Sequence, residues 1–131
     1  MLRFGVLVSI LFAAAQLPAQ QLNQLDSPCY GVVATENLAS CLSKAKASSE
    51  AVMQAQYEAI KKHLDEGERD QLAQSQELWL QYRDANCSAE KTLYGSGTGA
   101  QPAYLACMEA MTRQRTKDLK ITYEVRLKQT N

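Results

Sequence analysis

From Glu36 to Leu64 the chain runs without proline or glycine and is rich in Ala, Lys, Glu and Gln, all good helix formers. Leu38, Leu42 and Ala45 lead on to Val52, Ala55 or Gln56, Ala59 and His63, a broken apolar stripe at helical spacing. Thr35 stands where a capping hydroxyl is wanted. A first helix is therefore predicted over residues 35–64, with His63 exposed near its C-terminus. Gly67 interrupts the pattern inside "DEGERD", and the acids Glu66, Glu68 and Asp70 suit the start of a following helix. That second helix is predicted over residues 68–93, with Leu72, Ser75, Trp79, Tyr82, Asn86, Ala89 and Leu93 on one stripe. "YGSGTGAQP", with three glycines, reads as a connection. A third helix follows over residues 103–127, opened near Pro102, where proline is tolerated. Its stripe runs through Tyr104 or Leu105, Met108, Thr112, Arg115, Leu119, Tyr123 and Leu127, with Arg115 as a charged side chain turned towards the core. Glu109–Arg113, Lys120–Glu124 and Glu124–Lys128 fall four apart on its outer side. No strand pattern and no repeat is present. Three antiparallel helices in one small all-α domain is the fold expected.

The first residues break this pattern. "MLRFGVLVSILFAAAQLPAQ" has a basic start at Arg3, an apolar run from Phe4 to Ala15 and a short polar end, the layout of a secretory signal peptide. Its apolar run is too short to span a bilayer comfortably. Cleavage is expected after Ala19, with Ala15 the second choice, leaving residues 20–131 as the domain. No cysteine closely follows the apolar run and Cys29 sits in "DSPCY", so a lipid anchor is not expected. Export to the periplasm or outside the cell follows.

Loss of Arg3 leaves 13 basic residues against 14 acidic, a net charge of −1. That is not the basic excess of a nucleic-acid binder. The charge is uneven, however. Asp65, Glu66, Glu68 and Asp70 cluster against Arg69, while the tail from Arg113 to Lys128 holds six basic residues against Asp118 and Glu124.

Export gives the four cysteines a meaning. An even count in an oxidising compartment reads as disulfides. Their spacings of 12, 46 and 20 contain no C-x-x-C pair, and His63 is the only histidine, so a metal site is not indicated. Of the three pairings, the helix arrangement selects one. Cys87 and Cys107 lie about 7–9 Å from the connecting loop on opposite sides of it, at 1.5 Å per residue. Cys29 and Cys41 flank the start of the first helix. The expected bridges are Cys29–Cys41 and Cys87–Cys107.

Trp79, Tyr82 and Arg83 are neighbours on a helix surface. Trp79 is expected to fill the space between helices, Arg83 to lie on its indole face, Tyr82 to bury its ring, and Asp84 to be solvated. "W-x-x-Y-R-D-x-x-C", at Trp79, Tyr82, Arg83, Asp84 and Cys87, resembles the central motif of the LprI-type lysozyme-inhibitor family. "C-x-x-x-M-T-x-x-R-x-x-x-L", at Cys107, Met111, Thr112, Arg115 and Leu119, is similar to its C-terminal motif. Gly95 and Gly97 in the loop and the spacing of the first two cysteines also fit. Where relatives carry D-x-x-L-N-x-x-Y on the first helix, this chain has Glu50, Met53, Gln54 and Tyr57. The resemblance spans Cys29 to about Leu119.

The resemblance implies an exported, disulfide-linked helical protein that binds lysozyme and blocks it. It supplies no set of contact residues. Lysozymes of the common animal type are strongly basic, so the acidic turn at Asp65, Glu66, Glu68 and Asp70 is the candidate partner surface. The alternative is an envelope or secreted module that binds another partner. Catalysis is not expected: no nucleophile–base arrangement, phosphate loop or metal spacing is present, no cofactor is implied, and carboxylates at a polar turn are the usual chemistry of a helix start.

Overall fold

The computed structural model describes Leu22 and residues 24–129. The expected signal peptide and its cleavage site lie outside the described residues. Among the described residues four helices are present: α1 Thr35–Lys61, α2 Glu66–Thr92, α3 Ala100–Thr122 and the short α4 Glu124–Lys128. Consecutive long helices run antiparallel. α3 packs closely on both α1 and α2, whereas α1 and α2 stand further apart. The centre of the fold is thus the third helix of the chain.

The ends of these helices differ from expectation in instructive ways. Ala34 occupies the cap position of α1 and makes no side-chain cap bond, so Thr35 is already helical. α1 ends at Lys61, short of residue 64. At the start of α2, Asp65 accepts from the Glu68 N–H while Glu68 reaches back to the Asp65 N–H. This reciprocal capping box fixes the helix start at Glu66 and places Gly67 inside the first turn instead of before it. α3 begins at Ala100, and Pro102 sits within the first turn, where a missing N–H costs nothing. It stops at Tyr123, and the predicted stretch to 127 is completed only by α4. Gly95, at φ +55°, makes the left-handed turn after α2 that other residues rarely adopt.

The core has two apolar pools. Met53, Ile60, Leu64, Leu72 and Leu119 fill the end near the α1–α2 turn, with Tyr57, Trp79, Leu80, Tyr123 and Leu127 packed around them. At the other end Cys29, Leu42, Leu105 and Ala106 meet, next to Cys87, Cys107 and Met108. Leu42, Ile60, Leu72 and Leu119 are essentially fully buried, each contributing about 2–3 kcal/mol by area removed from water. Both disulfides form, Cys29 to Cys41 and Cys87 to Cys107. The first ties the leading segment to α1, and the second ties α2 to α3 across the glycine loop.

The buried faces are partly not those of the expected stripes. On α1 the second half of the stripe turns inward at Met53 and Ile60, while Val52 and Ala55 are exposed. On α2 the buried residues are Leu72, Gln76, Arg83 and Cys87, while Ser75, Tyr82, Ala89 and Leu93 are exposed. The reason is the gap between α1 and α2. Long polar side chains span it where an apolar residue would not reach, so the inward face of α2 is polar in its middle.

Candidate functional site

A belt of polar side chains crosses the bundle between the two apolar pools. Its centre is Arg83, whose side chain is only 7 % exposed. The Arg83 Nη1 donates to Glu50 Oε1 on α1 at 3.1 Å and to Thr112 Oγ1 on α3 at 2.9 Å. Thr112 passes the chain on by donating to the Met108 carbonyl at 2.7 Å. Arg83 Nε donates to Asp84 at 3.1 Å, so Asp84, although exposed, is not simply solvated. One guanidinium therefore joins all three long helices. Each of its contacts is charge-assisted or to a buried hydroxyl, which is what a buried cation requires.

Trp79 lies beside it, half-buried. The Arg83 guanidinium is 5.4 Å from its ring centre and that of Arg115 is 5.6 Å from it. The indole thus sits between two cations, one from α2 and one from α3. Arg115 Nε donates to Gln76 Oε1 at 3.0 Å, and Gln76 Nε2 approaches the sulfur of Met53 at 3.5 Å. Burial pushes the Arg115 pKa below its usual value, yet it remains a cation at any working pH. Leu119 of the C-terminal motif is 1 % exposed in the apolar pool beneath. The motif residues Trp79, Arg83, Thr112 and Arg115 converge in one cluster, and the Glu50 and Met53 positions of α1 complete it.

A second polar group lies alongside. Glu109 was placed on the outer side of its helix by spacing alone; it is 1 % exposed. Its carboxylate accepts from Ser49 Oγ at 3.0 Å and from Arg113 Nε at 3.0 Å. Arg113 in turn holds Asp26 at 2.5 Å and, through that bond, keeps the Asp26 carboxyl below its ordinary pKa. The leading segment is thus pinned to α3 by an ion pair as well as to α1 by a disulfide. On α2, Glu90 is different: one oxygen is buried without a hydrogen-bond partner, and desolvation raises its pKa.

The acidic turn is less free than its sequence suggests. Asp65 and Glu68 are engaged in the capping box, and Glu68 also pairs with Arg126 of α4. The basic tail therefore folds back onto the acidic turn, around an open cavity of about 530 Å³ whose lining includes Leu64, Asp65, Glu68, Tyr123, Val125 and Arg126. Glu66 and Asp70 remain exposed. On α4, Glu124 is paired with Lys128 at 2.5 Å, which lowers its pKa.

Tyr82 is the motif residue that does not join the cluster. Its ring was expected to be buried and is instead 60 % exposed on the outer side of α2. Arg83, the next residue, takes the inward position, and at 100° per residue both cannot face the core. A long cation is able to span a helix–helix gap and hold three acceptors, as Arg83 does with Glu50, Thr112 and Asp84.

Among the described residues no helix is long and apolar enough to cross a membrane, and no group of three or more His, Cys, Asp or Glu is placed to hold a metal ion. No curated protein and no solved structure matches the chain. A family match does exist, to the family described as "Lysozyme inhibitor LprI", over residues 29–119. That span takes in both disulfides, the polar belt and the helices that carry it, and the chain belongs to the LprI lysozyme inhibitor family.

Proposed function

We propose that the chain is exported, loses residues 1–19, and inhibits lysozyme by binding it as a rigid body that covers or fills the substrate cleft. The observation that carries this is the family match across residues 29–119. Two further features support it. Two disulfides and a three-helix ion-pair network hold the backbone in one arrangement, and a preorganised surface loses little conformational entropy on docking. The N-terminal sequence has the layout that export machinery reads, and export brings an inhibitor to the compartment where lysozyme acts and disulfides persist.

Two measurements test the reading. Purified mature protein is assayed against several lysozyme classes at low and moderate salt. Saturable inhibition is expected, and no inhibition of any class at micromolar protein overturns the function. N-terminal sequencing of the exported protein is expected to begin at Gln20. Recovery only of chains that keep Met1 overturns the export.

A further inference from the structure

Among the described residues, the outer face of α2 carries a run of exposed apolar side chains that no neighbouring element covers. Leu78, Tyr82, Ala85 and Ala89 follow one another at spacings of four, three and four, so they form a single ridge. Leu93 extends it just past the helix end. Leu78 is 59 %, Tyr82 60 % and Leu93 82 % exposed. From Leu78 to Leu93 the ridge is about 22 Å long at 1.5 Å per residue, and no charged side chain lies on it. Along one edge stand Asp70, Glu77 and Asp84, seven residues apart and so repeating about every 10 Å, with Lys91 closing the series at the C-terminal end. Asp84 shares Arg83, which leaves Asp70 and Glu77 as the stronger part of that edge.

The charge of the whole molecule has the same direction. α1 carries three acids and three bases, α2 six acids against three bases, and α3 with α4 three acids against six bases. The exported chain is nearly neutral, yet α2 carries a net acidic charge and α3 with α4 a net basic one, the two meeting where Arg126 of α4 pairs with Glu68 of α2.

We infer that the outer face of α2 is the surface that contacts lysozyme, with Tyr82 and Leu78 as the anchors and the acidic edge as the steering element. This rests on the lysozyme-binding reading and names the surface for it. An exposed tyrosine on an uncharged apolar ridge, edged by charge, suits an interface anchor with a polar rim. A convex ridge one helix wide suits an elongated cleft. Charge decides the occupant. A second copy packed antiparallel on this face would set one acidic edge against the other, whereas a basic lysozyme meets it with opposite sign. The acidic turn is the weaker candidate, because Asp65 and Glu68 are held by the capping box and Arg126.

The test compares full-length mature variants for lysozyme affinity and inhibition. Leu78→Ala with Tyr82→Ala is expected to raise Kd at least about tenfold. Ala85→Arg, which plants a long cation on the ridge, is expected to do the same. Asp70→Asn with Glu77→Gln is expected to slow association several-fold at low salt and to flatten its salt dependence. Val33→Ala and Ile121→Ala, at exposed apolar positions away from the ridge, are expected to leave affinity unchanged. All replaced side chains are exposed, so melting temperature within a few degrees of the parent confirms that the fold is intact. If the parent inhibits lysozyme and both ridge variants inhibit equally well, the surface is wrong while the function stands. If the parent neither binds nor inhibits any lysozyme, both fall together.

Discussion

Arg83 Nη1 of α2 lies 3.1 Å from Glu50 Oε1 of α1, and this contact closes a gap that the two backbones leave open. Replacing Arg83 with Ala removes the bridge and leaves Thr112 without its donor. A loss of about 2 kcal/mol is expected, mainly from the buried Thr112 left without its donor, since Glu50 is 33 % exposed and keeps Lys46. Glu50→Gln is expected to cost only about 1 kcal/mol, since Arg83 keeps Thr112, Asp84 and the indole. Urea unfolding of the two single variants and the double variant checks the relation. A coupling near zero between positions 50 and 83 would show that the two act separately.

The Cys87–Cys107 bridge spans 20 residues of sequence. Replacing both cysteines by Ser is expected to lower stability by about 3 kcal/mol on the loop-closure account. Cys29 and Cys41 should still pair. Peptide mapping without reduction checks this, and a peptide linking Cys29 to any other position in the parent protein contradicts the arrangement.

Glu90 gives a pH signature. Burial raises its pKa in the folded chain above the usual carboxylate value, without a hydrogen bond to its buried oxygen. In the window between the unfolded and folded values, the folded state binds more proton than the unfolded state. Stability therefore falls as pH rises through that window, and the full penalty is present above the folded value. Glu90→Gln removes it. The variant is expected to melt higher than the parent at pH 7 and to approach the parent's temperature at about pH 3, below the ordinary carboxylate value, where both states hold the proton. Equal melting temperatures at pH 7 count against this.

The three helices and both cysteine pairs were legible because they rest on local signals: unbroken helix-forming runs, a glycine-rich loop and the heights of Cys87 and Cys107 beside it. The rotation of α2 was not. Counting apolar residues placed Tyr82 inward, but the inward position belongs to Arg83, whose partners Glu50 and Thr112 lie 33 and 29 residues away in the chain. Glu109 was misplaced for the same reason. A charge four residues from an Arg suggests an outer pair, and only the approach of Ser49 from α1 shows that the carboxylate is buried. Gln76 and Arg115 likewise gain meaning only from each other. The candidate acidic turn was visible as composition, but the capping box and Arg126 already hold half of it.

Among the described residues, α3 is the long helix in close contact with both of the others. Its middle is buried from Leu105 to Glu109 and again at Thr112, so the amides there have the least access to water by local opening. The leading turns of α1 can detach further than those of α3, held by the Cys29–Cys41 bridge but packed on one neighbour only. In deuterium exchange, the middle of α3 around Met108 to Thr112 should therefore be the slowest segment and set the global unfolding limit. The outer face of α2 should report on a bound partner through its side chains, with little change in its backbone.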